Sequence, residues 1–495
     1  MATAQFPQPE NPLDVLIVGA GLSGIGTAHW LQEQCPNKKY AILEAREAIG
    51  GTWDLFRYPG VRSDSDMHTL GYGFKPWKNP KAIADGASIR QYIEETARES
   101  GIVNHIHFGY KVTGAFWSSQ EACWRVEAVH LLTGVAHTLQ TRFLHMCSGY
   151  YSYEEAYRPE FTGEADFKGA VILPQFWPQA LNYTNKRVVV VGSGATAVTL
   201  VPSMAQSAAH VTMLQRSPTY VVALPGQDAI ALRLRRYLPE RLAYGLTRWK
   251  NLLLSMAAYK LTRRYPKQMK RRIVNMAAKQ LGPDYDVDTH FSPHYNPWDQ
   301  RLCVVPDGDL FQSISQGKAS VVTDEIDRFT ATGLRLKSGL ELPADVVVLA
   351  TGLKINLFGG MSLTVDGQVY RPNQLMAYKG MMLGDVPNFA LAFGYTNASW
   401  TLKTDLTAGY VCRLLRYMDR HGYSIVVPRR QDDVQPEPLL SFSSGYVQRA
   451  LELLPKQGSR RPWRVFQNYL QDMLTIRFGR LADGVLHFGP KGVLP

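Results

Sequence analysis

Two glycine-rich turns carry the chemistry most directly readable from residue types and spacing. Gly19-Ala20-Gly21-Leu22-Ser23-Gly24 has the form G-x-G-x-x-G. Gly19 permits a tight turn, Gly21 lets the backbone approach a pyrophosphate, and Gly24 lets the following helix pack close to the preceding strand. Downstream, Gly192-Ser193-Gly194-Ala195-Thr196-Ala197 has the tolerated variant form G-x-G-x-x-A. A diphosphate at either turn would meet the free N–H groups and positive dipole end of a helix. Glu44 follows the first turn, and a carboxylate there can accept hydrogen bonds from both ribose hydroxyls. Acid at that position favours FAD or NAD and repels a 2′-phosphate. The matching stretch after the second turn, Gln215-Arg216-Ser217, has no acid. Arg216 is placed there to pair with a 2′-phosphate and Ser217 to donate a hydrogen bond, which points to NADPH rather than NADH. An FAD site followed by an NADPH site in one chain describes a flavoprotein reductase or oxygenase.

The elements that must hold these turns are legible around them. Leu13-Asp14-Val15-Leu16-Ile17-Val18 ends in a short apolar run typical of a buried parallel strand, and a helical pattern follows the first turn to Leu31. A second strand, Tyr40-Ala41-Ile42-Leu43, ends at Glu44. The same order recurs with Arg187-Val188-Val189-Val190-Val191 before the second turn and His210-Val211-Thr212-Met213-Leu214 after it. A later run, Ala344-Asp345-Val346-Val347-Val348-Leu349, ends in Ala350-Thr351-Gly352. That turn is either a crossing between nucleotide domains or an ordinary buried strand with a glycine. The expected fold is α/β, with two Rossmann-like dinucleotide-binding domains. The FAD-binding domain is expected to be discontinuous, from residues 1–148 and 355–495. The NADPH-binding domain is expected at 149–354, with a helical insert at 228–290.

Composition bounds the class. The chain has 495 residues, 45% hydrophobic and 19% charged, which suits a soluble globular protein with a large core. The formal net charge is +12, but residues 231–280 hold 14 of the 54 Lys and Arg and a single acid, Glu240. The remainder is close to neutral, which argues against a nucleic-acid packaging protein. Five scattered cysteines (Cys35, Cys123, Cys147, Cys303, Cys412) include no C-x-x-C, so neither a disulfide framework, a zinc site nor a dithiol redox centre is expected. Met1 to Phe6 lacks the basic flank and apolar run of a signal peptide, and no apolar run approaches 18 residues. The expected location is cytoplasmic.

Beyond the turns, the sequence resembles the Baeyer–Villiger flavin monooxygenases. Gly50-Gly51-Thr52-Trp53-Asp54-Leu55-Phe56-Arg57-Tyr58-Pro59-Gly60-Val61-Arg62-Ser63-Asp64 matches that family's G-G-x-W-x-x-x-x-Y-P-G-x-x-x-D, and Asn296-Pro297-Trp298-Asp299-Gln300-Arg301 is similar to the segment bearing its catalytic arginine. The resemblance implies FAD and NADPH as cofactors, dioxygen as oxidant, and a ketone or sulfide as substrate. It implies that Arg301 is the fixed cation stabilising negative charge on oxygen and that Asp64 orients it through a bidentate pair. It also places Ser23, Gly51, Thr52, Trp53, Asp64, Ser193, Ala195, Thr196 and Gln300 with the glycines, Glu44, Arg216 and Ser217 in the cofactor-binding set. Trp53 and Trp400 are either pocket walls or core. One departure stands out in the family's F-x-G-x-x-x-H-x-x-x-W-P signature. Phe167, Gly169, Trp177 and Pro178 are kept, but the histidine position is Leu173. Leucine can neither donate nor accept a hydrogen bond, so weaker coupling of NADPH oxidation to product is expected. The alternatives are a flavin monooxygenase acting on heteroatoms and a poorly coupled NADPH oxidase.

The basic segment 231–280 reads as helices interrupted at Pro239 and Pro266. Leucines interspersed with Arg and Lys make either an amphipathic surface for anionic lipid headgroups, giving a peripheral place on the inner face of the membrane, or a solvated face that attracts an anionic cofactor. No nucleic-acid recognition motif accompanies the charge.

Overall fold

A computed structural model describes residues 6–7, 11–440 and 445–495. The signal-peptide reading rests mainly on residues 1–5, which lie outside them. Strand Leu13–Val18 sends Val15 and Ile17 into one core cluster and Leu16 and Val18 into another. Both faces are therefore buried, which is why the strand is apolar throughout instead of alternating. It pairs in parallel with Tyr40–Glu44 on one side and Ala136–Met146 on the other. The sheet reaches nine strands by adding Ile106–Phe108 at one edge and an antiparallel meander, Tyr110–Ser118, Cys123–His130 and Ala136–Met146. Ser362–Val365 joins it beside Tyr110–Ser118 and carries the edge strand Gln368–Tyr370, and Phe389–Leu391 joins beside Ala136–Met146. The first nucleotide unit is thus discontinuous, built from both ends of the chain.

The second unit has a five-stranded, all-parallel sheet in the order Ala319–Thr323, His210–Gln215, Arg187–Val191, Val346–Leu349, Ala170–Ile172. Val188 and Val190 face one core cluster and Val189 and Val191 the other. Burying each contributes roughly 1.5 kcal/mol or more, and a charge at fully buried Val190 would unseat the strand. The two units together form the α/β fold with paired Rossmann-like sheets.

The insert forms helices Ala229–Tyr237, Glu240–Arg264 and Pro266–Leu281. Pro239 precedes the second, and Pro266 opens the third, where its missing N–H would have no partner anyway. The insert does not lie on the second unit alone. Tyr244 of the long helix belongs to the core of the first unit, and its hydroxyl donates to the Tyr72 carbonyl at 2.9 Å. Arg248 Nη1 donates to the carbonyls of His68, Thr69 and Gly71 at 2.8, 3.2 and 2.7 Å. Ala277 of the third helix packs into the core of the second unit. Among the described residues, no helix is long and apolar enough to cross a membrane. All five cysteines are free and buried.

Candidate active site

A single cavity of about 1050 Å³ runs between the two glycine turns. It exceeds the ~300–1,000 Å³ usual for one small ligand, so it has room for more than one. The first turn forms one wall. Gly19 has φ +107°, and a Cβ there would lie 2.6 Å from the Cys147 carbonyl oxygen. Gly21 caps helix Leu22–Gln34 without any side-chain partner, leaving its first N–H groups toward the cavity. Glu44 lines the cavity at 5% exposure and accepts the Ala20 N–H at 2.6 Å and the Arg46 N–H at 2.9 Å. Burial pushes its carboxyl above the ordinary range, and those two backbone N–H groups pull it back. Ser148 Oγ, buried on the same wall, has no protein partner.

The second turn faces the first across the cavity. Gly192 has φ +136°, and a Cβ would meet the Ala350 carbonyl oxygen at 2.3 Å. Gly194 has open space where a Cβ would stand, and it caps helix Ala195–Met204 with no side-chain partner. Ser193, Ala195 and Thr196 line the same wall. Ser193 Oγ lies 2.8 Å from Thr219 Oγ1. Arg216 and Ser217 are exposed on the cavity rim. Uncapped helix ends, a glycine cradle and an orphaned hydroxyl fit two dinucleotides by charge, shape and donor set.

The segment 50–64 straps the two units together. Gly51 Cα lies 3.5 Å from the position of a Cβ on Gly21. Gly60, at φ +76°, would press a Cβ to 3.0 Å from the Thr199 carbonyl oxygen of the second unit. Tyr58 is hydrogen-bonded to Thr196, and burial pushes its hydroxyl up to about 12. Arg62 pairs with Asp309. The strap ends at Asp64, where Arg301 Nε approaches Oδ2 at 3.3 Å. Arg301 and Asp64 thus form an ion pair at the end of the strap. Its side chain is 42% exposed, facing the cavity, while Asp64 is 12% exposed behind it. Burial works against the arginine's charge, but Asp64 and then the tyrosines Tyr150, Tyr151 and Tyr446 outweigh it and raise its pKa further. Burial likewise pushes the Asp64 carboxyl up, and Arg301 and Arg62 pull it back. The preceding loop is anchored by the insert: Arg263 pairs with Asp299 at 2.6 Å, and Tyr259 sits edge-on to Trp298 at 5.3 Å.

Gln300, Gly51, Thr52 and Trp53 also line the cavity. Gly24 alone of the sequence-derived site residues does not. A Cβ on it would lie 1.8 Å from the Gly19 carbonyl oxygen, so its part is helix-to-strand packing rather than ligand contact. Trp53 and Trp400 are cavity walls that also pack against core clusters, and Trp400 Nε1 donates to Ser23 Oγ at 3.1 Å. Sequence reasoning missed Tyr150, Tyr151 and Tyr153, which line the cavity and sit one after another just past strand Ala136–Met146. Three tyrosines after a glycine at the end of a strand were the available signal. Leu173 packs partly buried in the second unit and lines a recess of about 20 Å³ with Thr196, Ala350 and Gly352. Gln175 lines it too, and its Oε1 is buried without a partner.

A model of NAD(P)-binding Rossmann-like domains matches residues 17–82, and one of the flavin-binding monooxygenase-like family matches 76–383. The chain is 55% identical over 482 residues to the FAD-containing monooxygenase EthA of Mycobacterium tuberculosis, covering 97% of this chain and 98% of that one. It is 53% identical to EthA of Mycolicibacterium smegmatis, over 96% of each chain. Among solved structures, an oxidised steroid monooxygenase bound to NADP superposes with a TM-score of 0.76 at 19% identity, over 97% of this chain and 100% of that one.

Proposed function

The chain belongs to the flavin-binding monooxygenase-like family, and we propose that it is an FAD-containing, NADPH-dependent enzyme that inserts one oxygen atom of dioxygen beside a ketone carbonyl. The product is an ester or lactone, and sulfur in sulfides or thioamides is a second target. Bound FAD would supply the activation of dioxygen, with NADPH as the source of two electrons. Gly19, Gly21 and Gly51 shape the cradle for the flavin dinucleotide, the N-terminus of helix Leu22–Gln34 meets its diphosphate, and Glu44 meets its ribose. Gly192, Ser193, Gly194, Ala195 and Thr196 do the same for the nicotinamide dinucleotide, and Arg216 and Ser217 select its 2′-phosphate.

The observation that carries the reading is Arg301 in the wall of a cavity bordered by both turns, with Asp64 at 3.3 Å. When oxygen attacks a carbonyl, negative charge gathers on oxygen. A guanidinium stabilises it without giving up its proton, and Asp64 keeps the guanidinium aimed. In Arg301→Ala, ketone turnover is expected to fall about 100–1000-fold, while bound flavin and NADPH-driven bleaching of its colour persist. Unchanged ketone turnover would remove the assignment. The same variant separates a second reading, heteroatom oxidation. Electrophilic oxygen transfer to sulfur builds less negative charge, so sulfide oxidation surviving in Arg301→Ala shows both modes in one site. The apolar Leu173 favours a share of NADPH being spent on hydrogen peroxide, read as peroxide formed per NADPH.

A further inference from the structure

Helix Glu240–Arg264 carries apolar residues on two sides, one buried and one exposed. Its inward side carries the buried Ala243, Tyr244, Thr247 and Leu252, flanked by Arg248, Lys250 and Asn251. Arg248 is tied to three backbone carbonyls, Lys250 pairs with Asp228 at 2.6 Å, and Asn251 donates to Asp66 at 3.0 Å. Its outward side carries Leu242, Leu246, Trp249 and Leu253, spaced four, three and four residues apart, each between 42 and 51% exposed. A surface helix normally turns its apolar stripe to the core. Here the core side is already filled by Ala243, Tyr244 and Leu252 and tied by the bonds of Arg248, Lys250 and Asn251, so the outer leucines are a second apolar stripe. Lys260 and Arg264 continue the same stripe and are exposed, as are Arg271 and Arg272 on the next helix. Trp249 sits edge-on to Tyr469 at 6.2 Å, and the adjoining segment adds exposed Leu474 and Phe478.

We propose that this outer face docks on an anionic lipid bilayer. Apolar side chains ringed by Arg and Lys match the boundary between acyl chains and negative headgroups. The charge selects this partner over others. A second copy of the chain on the same face would bring together two segments that each hold 14 Lys and Arg against one acid. Nucleic acid would satisfy the charge but not the leucines. The bilayer satisfies both, and it would hold the cavity near a reservoir of apolar substrates. The proposal does not depend on the oxygenation chemistry.

The test is sedimentation of the full-length holoprotein with vesicles of phosphatidylcholine alone or mixed with phosphatidylglycerol, at low and high salt. Binding is expected to the mixed vesicles at low salt and to fall steeply at high salt. The double variant Leu246→Gln, Leu253→Gln is expected to weaken binding at least tenfold per leucine, roughly the worth of one buried side chain. Its flavin spectrum should match that of the parent, which checks the fold. Absence of binding to mixed vesicles at low salt, or equal binding to phosphatidylcholine alone, overturns the proposal. So does a salt-resistant dimer in gel filtration that the double variant dissolves, because a second copy would then be the occupant.

Discussion

The two glycine turns share a motif and differ in how the protein closes over them. The first is roofed. Gly19 lies under the Cys147 carbonyl, Gly21 against Gly51, and Gly24 against the Gly19 carbonyl, while Glu44 is buried and accepts the Ala20 and Arg46 N–H groups. The second is open. Gly194 has nothing within 4 Å of a Cβ position, Arg216 is exposed on the rim, and Ala197 stands where the first turn has Gly24. A resident FAD and an exchanging NADPH would need that difference.

The largest effect should come from the third position of each motif. Gly24→Ala places a methyl 1.8 Å from the Gly19 carbonyl oxygen, which no rotamer can relieve. The expected outcome is a colourless or insoluble protein. Ala197→Gly on the other side should cost about 1 kcal/mol of helix stability and keep the flavin. A yellow Gly24→Ala protein with the parent flavin ratio in its absorption spectrum would break the comparison. Next comes Glu44→Ala, which strands the buried Ala20 N–H at about 1–3 kcal/mol and the part-buried Arg46 N–H, and would remove the proposed ribose contacts. More than tenfold weaker flavin retention on gel filtration is expected, with NADPH affinity little changed. On the open side, Arg216→Ala would remove the proposed charge-assisted hydrogen bond to the 2′-phosphate, worth ~1.5–3 kcal/mol. The KM for NADPH should rise roughly 10–100-fold, with the KM for NADH and the flavin content nearly constant. Equal loss for both nucleotides would mean that Arg216 does not meet the 2′-phosphate.

The two sheets also differ at their centres, and pH exposes it. His145, beside Ile17 in the first sheet, is fully buried, and neither ring nitrogen has a partner. Burial pulls its pKa down to about 3. The unfolded chain takes up a proton near 6.5 and the folded chain does not, so stability is complete above about pH 6.5 and falls as pH drops toward 3. The loss is about 1.4 kcal/mol per pH unit within that window. His145→Leu should flatten this part of the urea-midpoint profile. The central strand of the second sheet, Val188 to Val191, has no group that titrates.

The turns, the strands before them and the acid-or-arginine choice after them were legible because each depends on residues close in sequence. The glycine geometry and the two-faced apolar strands follow from local sterics and burial. The pairing of Asp64 with Arg301 was reached only through resemblance, because nothing local in either segment points to the other. The strap contacts of Gly60 with Thr199 and of Tyr58 with Thr196 join residues of two separate units, and no periodicity encodes them. The long insert helix shows the limit most clearly. Its leucine spacing announces an amphipathic helix, but spacing alone assigns the stripe to the core. The burial of Ala243, Tyr244 and Leu252 and the inward bonds of Arg248, Lys250 and Asn251 leave the stripe of Leu242, Leu246, Trp249 and Leu253 outward.

The smallest predicted effect tests the floor of the open turn. Leu173 and Gln175 border the recess beneath Thr196, with Ala350 and Gly352 on the linker between units. Gln175 Nε2 donates to the Ser152 carbonyl at 2.8 Å, but its Oε1 is buried and unpaired. A polar side chain at 173 could supply the missing donor, and leucine cannot. An unsatisfied buried acceptor costs about 1–3 kcal/mol, and this one lies beneath the second turn, where a better-bonded floor would hold a ligand more firmly. Leu173→His should therefore raise product formed per NADPH and lower peroxide, by a few-fold at most, without changing flavin content. If the ratio stays the same, the recess plays no part in coupling, and the open character of the second turn rests on Arg216 and Gly194 alone.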